Sequence, residues 1–177
     1  MKKLIVAVLA LMGVVVSASA QEREEANYIA VEAGWYFPTD GLLRDRFDSA
    51  IFRFGLGPVF HRKIEGWRTA YELGFIGASQ DGNRFMVIPL TVGAQRSFGN
   101  LEAEWVPFAR AAAGVAYVDY DIDSDDGKGF TPVGTIEVGV QGGSRFRASL
   151  RYTLVGQKDG IDFSGTTFGL SYGLFKF

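Results

Sequence analysis

The chain has 177 residues, with 18 Lys and Arg against 20 Asp and Glu, no cysteine and one histidine. The near-balanced charge of −2 excludes the basic footprint that nucleic acid requires, and the missing cysteines exclude disulfides, thiolate chemistry and a lipidated thiol. A lone His61 excludes a multi-histidine metal site, while 47% hydrophobic residues and 23 glycines exclude a disordered chain and favour short strands with tight turns.

In chain order, the first element is an address. Met1-Lys2-Lys3 is a cationic start, 4–16 is an apolar core, and Ser17-Ala18-Ser19-Ala20 supplies the small residues of a cleavage site. This three-part pattern predicts a secretory signal peptide over 1–20, cut between Ala20 and Gln21. Its apolar core is shorter than the ~20 residues a spanning helix needs. A short segment over 21–27 then leads into one domain over 28–177.

That domain alternates with period two, the signature of strands with one apolar and one polar face. Eight strands are predicted, over 28–37, 51–61, 67–79, 85–98, 106–118, 131–141, 145–155 and 166–177. The seventh is the clearest: Phe146, Ala148, Leu150, Tyr152 and Leu154 share one face, Arg145, Arg147, Ser149, Arg151 and Thr153 the other. The connectors 38–50, 80–84, 119–130 and 156–165 are polar and glycine-bearing, and the intervening ones are mostly shorter. Long and short connectors in alternation predict an all-β, up-and-down antiparallel eight-stranded barrel. Pro89 and Pro107 fall inside predicted strands, where proline cannot donate to the ladder.

The facing of the rows decides the compartment. The apolar rows carry large residues, among them Trp35, Phe52, Phe54, Phe60, Tyr71, Phe75, Phe146, Tyr152 and Phe168. The opposing rows are rich in Gly, Ala, Ser and Thr, with a few charges. Large apolar residues suit lipid and small or charged ones suit a crowded lumen, so the barrel reads as transmembrane. The alternative is a soluble periplasmic, lipocalin-like barrel with an apolar ligand inside.

The charges on the polar rows are Glu32, Glu72 and Glu137 against Arg53, Arg110, Arg147 and Arg151. Buried ions must be paired, so these seven read as a lumen network that plugs the barrel. An ion pathway is the competing reading. A 141–145 hairpin symmetric about Gly143 would set Glu137 opposite Ser149, diagonally between Arg147 and Arg151.

Three features carry a resemblance. One is the signal peptide followed by alternating strands. A second is Ile88-Pro89-Leu90-Thr91-Val92-Gly93, followed by Pro107-Phe108-Ala109-Arg110-Ala111-Ala112-Ala113-Gly114-Val115-Ala116-Tyr117. The third is the terminus Tyr172-Gly173-Leu174-Phe175-Lys176-Phe177. Together they resemble the small eight-stranded outer-membrane barrels of Gram-negative bacteria, those similar to outer membrane proteins X and A. The resemblance implies a porin-like cell-envelope protein of the outer membrane, in contact with its lipids and with lipopolysaccharide. It also implies that Phe175 and Phe177 form the signal read by the barrel-assembly machinery. Both are out of phase with the row Phe168, Leu170, Tyr172 and Leu174. Either a bulge near Gly173 restores the phase or the two aromatics point inward.

Some barrels of this kind act on lipid A, which needs a histidine with serine and an acid. His61, beside Arg62 and Lys63, falls at the periplasmic end of its strand, the wrong rim for outer-leaflet lipid A. The run 119–127 alternates aspartates as calcium loops do, but Asp126 and Pro132 stand where such a loop needs Gly and Glu. It reads as a solvated loop with weak divalent binding as the alternative. Arg44, Arg46 and Asp48 in the first long connector are candidates to touch head groups or a partner. The sequence therefore predicts a non-enzymatic barrel without cofactor or metal, with a structural, surface-recognition or envelope-integrity role and room for an extracellular ligand at the loops. A lipid A-modifying enzyme on the same barrel is the runner-up.

Overall fold

The computed structural model describes residues 27–60, 66–123, 125–142 and 145–176. Eight strands, β1 (Tyr28–Pro38), β2 (Ile51–Val59), β3 (Trp67–Gln80), β4 (Asn83–Ser97), β5 (Trp105–Ile122), β6 (Asp125–Gly142), β7 (Phe146–Val155) and β8 (Gly165–Lys176), pair antiparallel in chain order. β8 pairs back onto β1, closing the barrel. Closure leaves no open sheet edge around the belt, the condition for a β-structure to sit in hydrocarbon.

The facing follows the alternation. Trp35, Phe52, Phe54, Leu56, Phe75, Ile136, Leu150, Leu154, Phe168 and Tyr172 are exposed on the outside. Trp67, Phe98, Trp105 and Phe175 add an aromatic girdle at the end that carries the termini, here the near end. Arg96 lies 6.0 Å from the Trp67 ring and 5.8 Å from the Phe98 ring, a cation over two interfacial aromatics. A soluble ligand-binding barrel would need the reverse facing. Among the described residues no helix is long and apolar enough to cross a membrane, so crossing falls to the strands.

The structure departs from the sequence reading in four places. The acidic run 119–127 is not a loop: β5 continues to Ile122 and β6 starts at Asp125, register-paired down to Ile122 opposite Asp125. Alternation persists there, with Val118, Tyr120 and Ile122 buried inside the wall. Gly127 opposes Tyr120, and a Cβ there would meet the Tyr120 hydroxyl at 2.6 Å. The second departure is a short helix, α1 (Gly41–Phe47), inside the first long connector, capped by Asp40, whose carboxylate accepts from the Leu42 amide at 2.7 Å. Third, Phe60 lies past the end of β2 and turns inward, buried, rather than toward lipid. Fourth, the β6–β7 hairpin sets Glu137 opposite Arg151 and Ser149 opposite Gly139, a two-residue shift from symmetry about Gly143. Pro89 lies inside β4, as the sequence placed it, and faces the lumen. Ladder pairing between β3 and β4 skips Gly74 and Phe75 there, and the bare Gly74 makes room: a Cβ would fall 2.8 Å from the proline ring.

The phase of the C-terminal strand is resolved by a bulge. Ile29 pairs with Phe175 and Ala30 with Gly173, so Leu174 is the extra residue. Leu174 and Phe175 are both exposed. Phe177 lies outside the described residues, as do the signal peptide with Ala20 and Gln21, and His61.

The interior has two zones. Toward the far end, Tyr36, Ile51, Ile76, Phe85, Val87, Val118, Tyr120, Val133 and Val155 form an apolar layer. Leu43 and Phe47 of α1 and Ile161 and Phe163 of the β7–β8 connector complete it. Phe85 is the hinge of this packing, edge-on to Phe47 at 4.9 Å and 5.9 Å from Phe163. Below it lies the charged zone.

Candidate functional site

The charged zone is built by inward positions on six strands. β1 supplies Glu32, β2 Arg53, β3 Glu72, β5 Arg110, β6 Glu137, and β7 Arg147 and Arg151. All seven are buried, and the structure brings all seven into one cluster. Arg151 is its hub. Its guanidinium holds Glu32 in a bidentate pair at 2.9 and 2.8 Å, reaches Glu72 at 2.6 Å, and donates to Glu137 at 3.0 and 3.3 Å. Arg53 bridges Glu32 and Glu72.

The other two arginines are held more loosely. Arg110 approaches Glu72 at 3.0 Å and Glu137 at 3.7 Å. Arg147 reaches Glu32 at 3.5 Å and Glu137 at 3.8 Å. It also donates to Ser171 at 3.4 Å and to Gln95 and the Pro58 carbonyl at 3.5 Å, with its guanidinium 5.4 Å from the Phe108 ring. Room for the cluster comes from glycines on neighbouring strands. Gly55 is the register partner of Glu32, and a Cβ at Gly169 would stand 3.1 Å from the Glu32 carboxyl.

Each carboxylate contacts three guanidiniums, which come from two strands for Glu32 and Glu137 and from three for Glu72, and the apolar zone lies above the cluster toward the far end. Ser171 donates to Glu32 at 3.3 Å, a supporting hydrogen bond. The described residues include no histidine to serve as a general base.

The far end carries the remaining candidates. The acidic hairpin of β5 and β6 presents Asp119, Asp121, Asp123, Asp125 and Asp126. Arg46 of α1 pairs with Asp123 at 2.7 Å, tying the first connector to this hairpin. Arg84 of β4 lies 3.8 Å from Asp119 and 3.9 Å from Asp121. Among the described residues no group of three or more His, Cys, Asp or Glu is placed to hold a metal ion. Arg44 is exposed, and Asp48 ends α1 with φ at 79°.

A second tie joins the β7–β8 connector to the wall. The Tyr120 hydroxyl donates to Asp159 at 2.7 Å, and this bond, with Lys158 nearby, holds the Asp159 carboxyl below its ordinary range. Further in, the Tyr36 hydroxyl donates to the Phe163 carbonyl at 2.6 Å, and Ser164 accepts from the Thr39 amide at 2.9 Å. Sequence reasoning missed α1, the apolar upper zone and these ties. Their signal was present in the alternation past Val118 and in the apolar Leu43, Phe47, Ile161 and Phe163 of otherwise polar connectors.

Comparison with solved structures places this geometry. Neisserial surface protein A aligns over 85% of this chain and all of its own, with a TM-score of 0.63 at 14% identity. Ail, the attachment invasion locus protein of Yersinia pestis, aligns over 86% of this chain and all of its own at 0.54 and 13%. The outer membrane enzyme PagL aligns over 82% of this chain and 99% of its own at 0.54 and 12%. No family model and no curated protein matches the sequence. At these identities the likeness is one of fold: the chain has the architecture of the small eight-stranded outer-membrane barrels.

Two outcomes test this geometry. Replacing Arg151 with methionine leaves three carboxylates without their shared donor. It is expected to cost about 3–5 kcal/mol, read as a lower urea midpoint for loss of the folded band. A midpoint within error of the parent would show that the hub is dispensable. Tyr120→Phe is expected to raise the Asp159 pKa toward its ordinary value and to speed hydrogen exchange across 156–164. Because the parent carboxyl is depressed, the tie is present above the unfolded carboxylate pKa and is lost as pH falls through the folded value. Exchange in the parent should therefore approach that of the variant only in acid.

Proposed function

We propose that this chain is a non-enzymatic integral outer-membrane protein whose lumen is a structural plug and whose far end is its recognition surface. The observation that carries the reading is the two-zone interior. Seven buried charged side chains and a layer of apolar ones fill the space that a pore or an enclosed ligand would occupy. An eight-stranded barrel has little interior to spare, so filling it leaves the outside and the loop end for function.

In this reading the near end is periplasmic and the far end extracellular. Outer-membrane lipid surrounds the apolar belt, and lipopolysaccharide head groups meet the acidic hairpin through divalent cations. Phe175, turned outward by the bulge, and Phe177 would present the C-terminal strand to the assembly machinery. Ail has been crystallised with the heparin analogue sucrose octasulfate. The corresponding end here carries five aspartates and one lysine, Lys128, along its β5–β6 hairpin, a surface suited to a cationic partner rather than to a sulfated one.

A second reading keeps PagL in view, since that enzyme shares the fold. His61, which follows β2 in the sequence and lies outside the described residues, is the one histidine available to it. Two measurements separate the readings. In outer-membrane extracts, the unboiled protein is expected to migrate faster than the boiled one, and lipid A from expressing cells is expected to keep its acylation pattern. Altered lipid A that reverts in His61→Ala would replace the proposal with the enzymatic reading. Recovery of the protein in the soluble periplasmic fraction would remove both.

A further inference from the structure

We propose that the lumen binds one small monovalent anion of the chloride class between Arg110 and Arg147. The inference rests on the plugged-lumen reading and begins with a charge count. Among the described residues, the buried ionisable groups of the charged zone are four arginines and three glutamates. Guanidinium stays protonated in proteins, so neutralisation by proton loss is closed to these side chains. Each glutamate contacts three guanidiniums, the pairing expected of a carboxylate ion. One positive charge is therefore left over in a region of low dielectric, and an uncompensated buried charge is strongly destabilising.

The geometry says where that charge sits. Arg53 and Arg151 each bind two or more carboxylates through short hydrogen bonds. Arg110 does not: its Nε and both Nη atoms are buried without an aligned acceptor, although Glu72 lies 3.0 Å away. Arg147 leaves its Nε in the same condition, and each of its polar contacts is 3.4 Å or longer. Both arginines approach the same carboxylate, Glu137, and only at 3.7 and 3.8 Å. Gln95, the register partner of Arg110 on β4, accepts from Arg147 at 3.5 Å.

Orphaned donors from two arginines and one surplus charge describe a monovalent anion site. Phe60, Val106 and Phe108 are buried toward the near end and the apolar zone closes the far end, surroundings that suit a small, weakly hydrated anion better than phosphate. Glu137 is the local cost of the site. Its repulsion is offset by the two guanidiniums that face the anion from β5 and β7, with Arg151 on its far side.

Bromide and chloride are the probes. In crystals of the folded protein grown or soaked in bromide, an anomalous peak is expected at hydrogen-bond distance from the Arg110 and Arg147 guanidiniums. In detergent at constant ionic strength, the temperature at which the fast-migrating band is lost should rise with the logarithm of chloride concentration when gluconate is the replaced anion. Arg110→Gln balances the cluster and should lose both the peak and the chloride dependence. Arg147→Gln provides the same reading if the first variant fails to fold, and the bromide map of the parent depends on neither. Bromide only at the exposed surface, ordered water alone between the two arginines, or equal melting in chloride and gluconate would overturn the proposal. A lipid A phenotype or a periplasmic location would instead overturn the function proposed above and leave this result standing.

Discussion

Closing eight strands creates an interior just wide enough for side chains to fill, and everything else in this protein answers that constraint. The answer in the lower half is Arg151. Its planar guanidinium binds carboxylates from β1, β3 and β6 at once. Those partners stand 119, 79 and 14 residues away along the chain, so one side chain ties distant segments into a single cross-section. A lysine, with a point charge and no fork, could not serve three carboxylates in this way.

The answer in the upper half is apolar, and it draws on the connectors. β3 to β6 rise beyond their neighbours: β2 pairs with β3 only over four residues, and β6 meets β7 only from Val133 down. A wall taller on one side than the other would expose its inner face. α1 and the β7–β8 connector cover that face, with Phe47 and Phe163 both set against Phe85. Arg46 with Asp123 and Tyr120 with Asp159 fasten the two cover segments to the wall. An exposed ion pair such as Arg46–Asp123 contributes little to stability on its own, so the apolar contacts hold the cover and the polar ones set its position.

Much of this was legible in the residues. Period-two alternation with large apolar side chains on one row defined the strands, their order and the outward facing, and the same rows contained all seven charges of the cluster. What the rows did not contain was register. Symmetry about Gly143 put Glu137 opposite Ser149, and nothing in the local sequence distinguishes that pairing from the observed one. Acidic composition hid the continuation of β5 and β6, because aspartate disfavours strands in general and is accepted here where the wall stands clear of the belt. The helix escaped because seven residues within a polar connector carry too short a period. The bulge at Leu174 was visible only as a conflict of phase, with two resolutions.

The register error shows what the charges do. With Glu137 opposite Ser149, every side chain would keep its face, so hydrophobic patterning alone would accept that hairpin as readily as the native one. It would not keep its partners. Arg151 would lose the register neighbour that accepts its Nε and Nη2, and Gln141 would no longer stand beside Arg147. Alternation selects which face is inside but is blind to slips of two residues. Buried ions are not blind to them, because each slip trades a direct register pair for diagonal ones and re-sorts the donors of every carboxylate, and a buried ion left short of partners costs several kcal/mol. In a barrel whose lower lumen offers few apolar contacts to discriminate between registers, the salt-bridge cluster supplies the discrimination. This gives a reason for keeping seven charged side chains where apolar ones of similar volume could fill the same space.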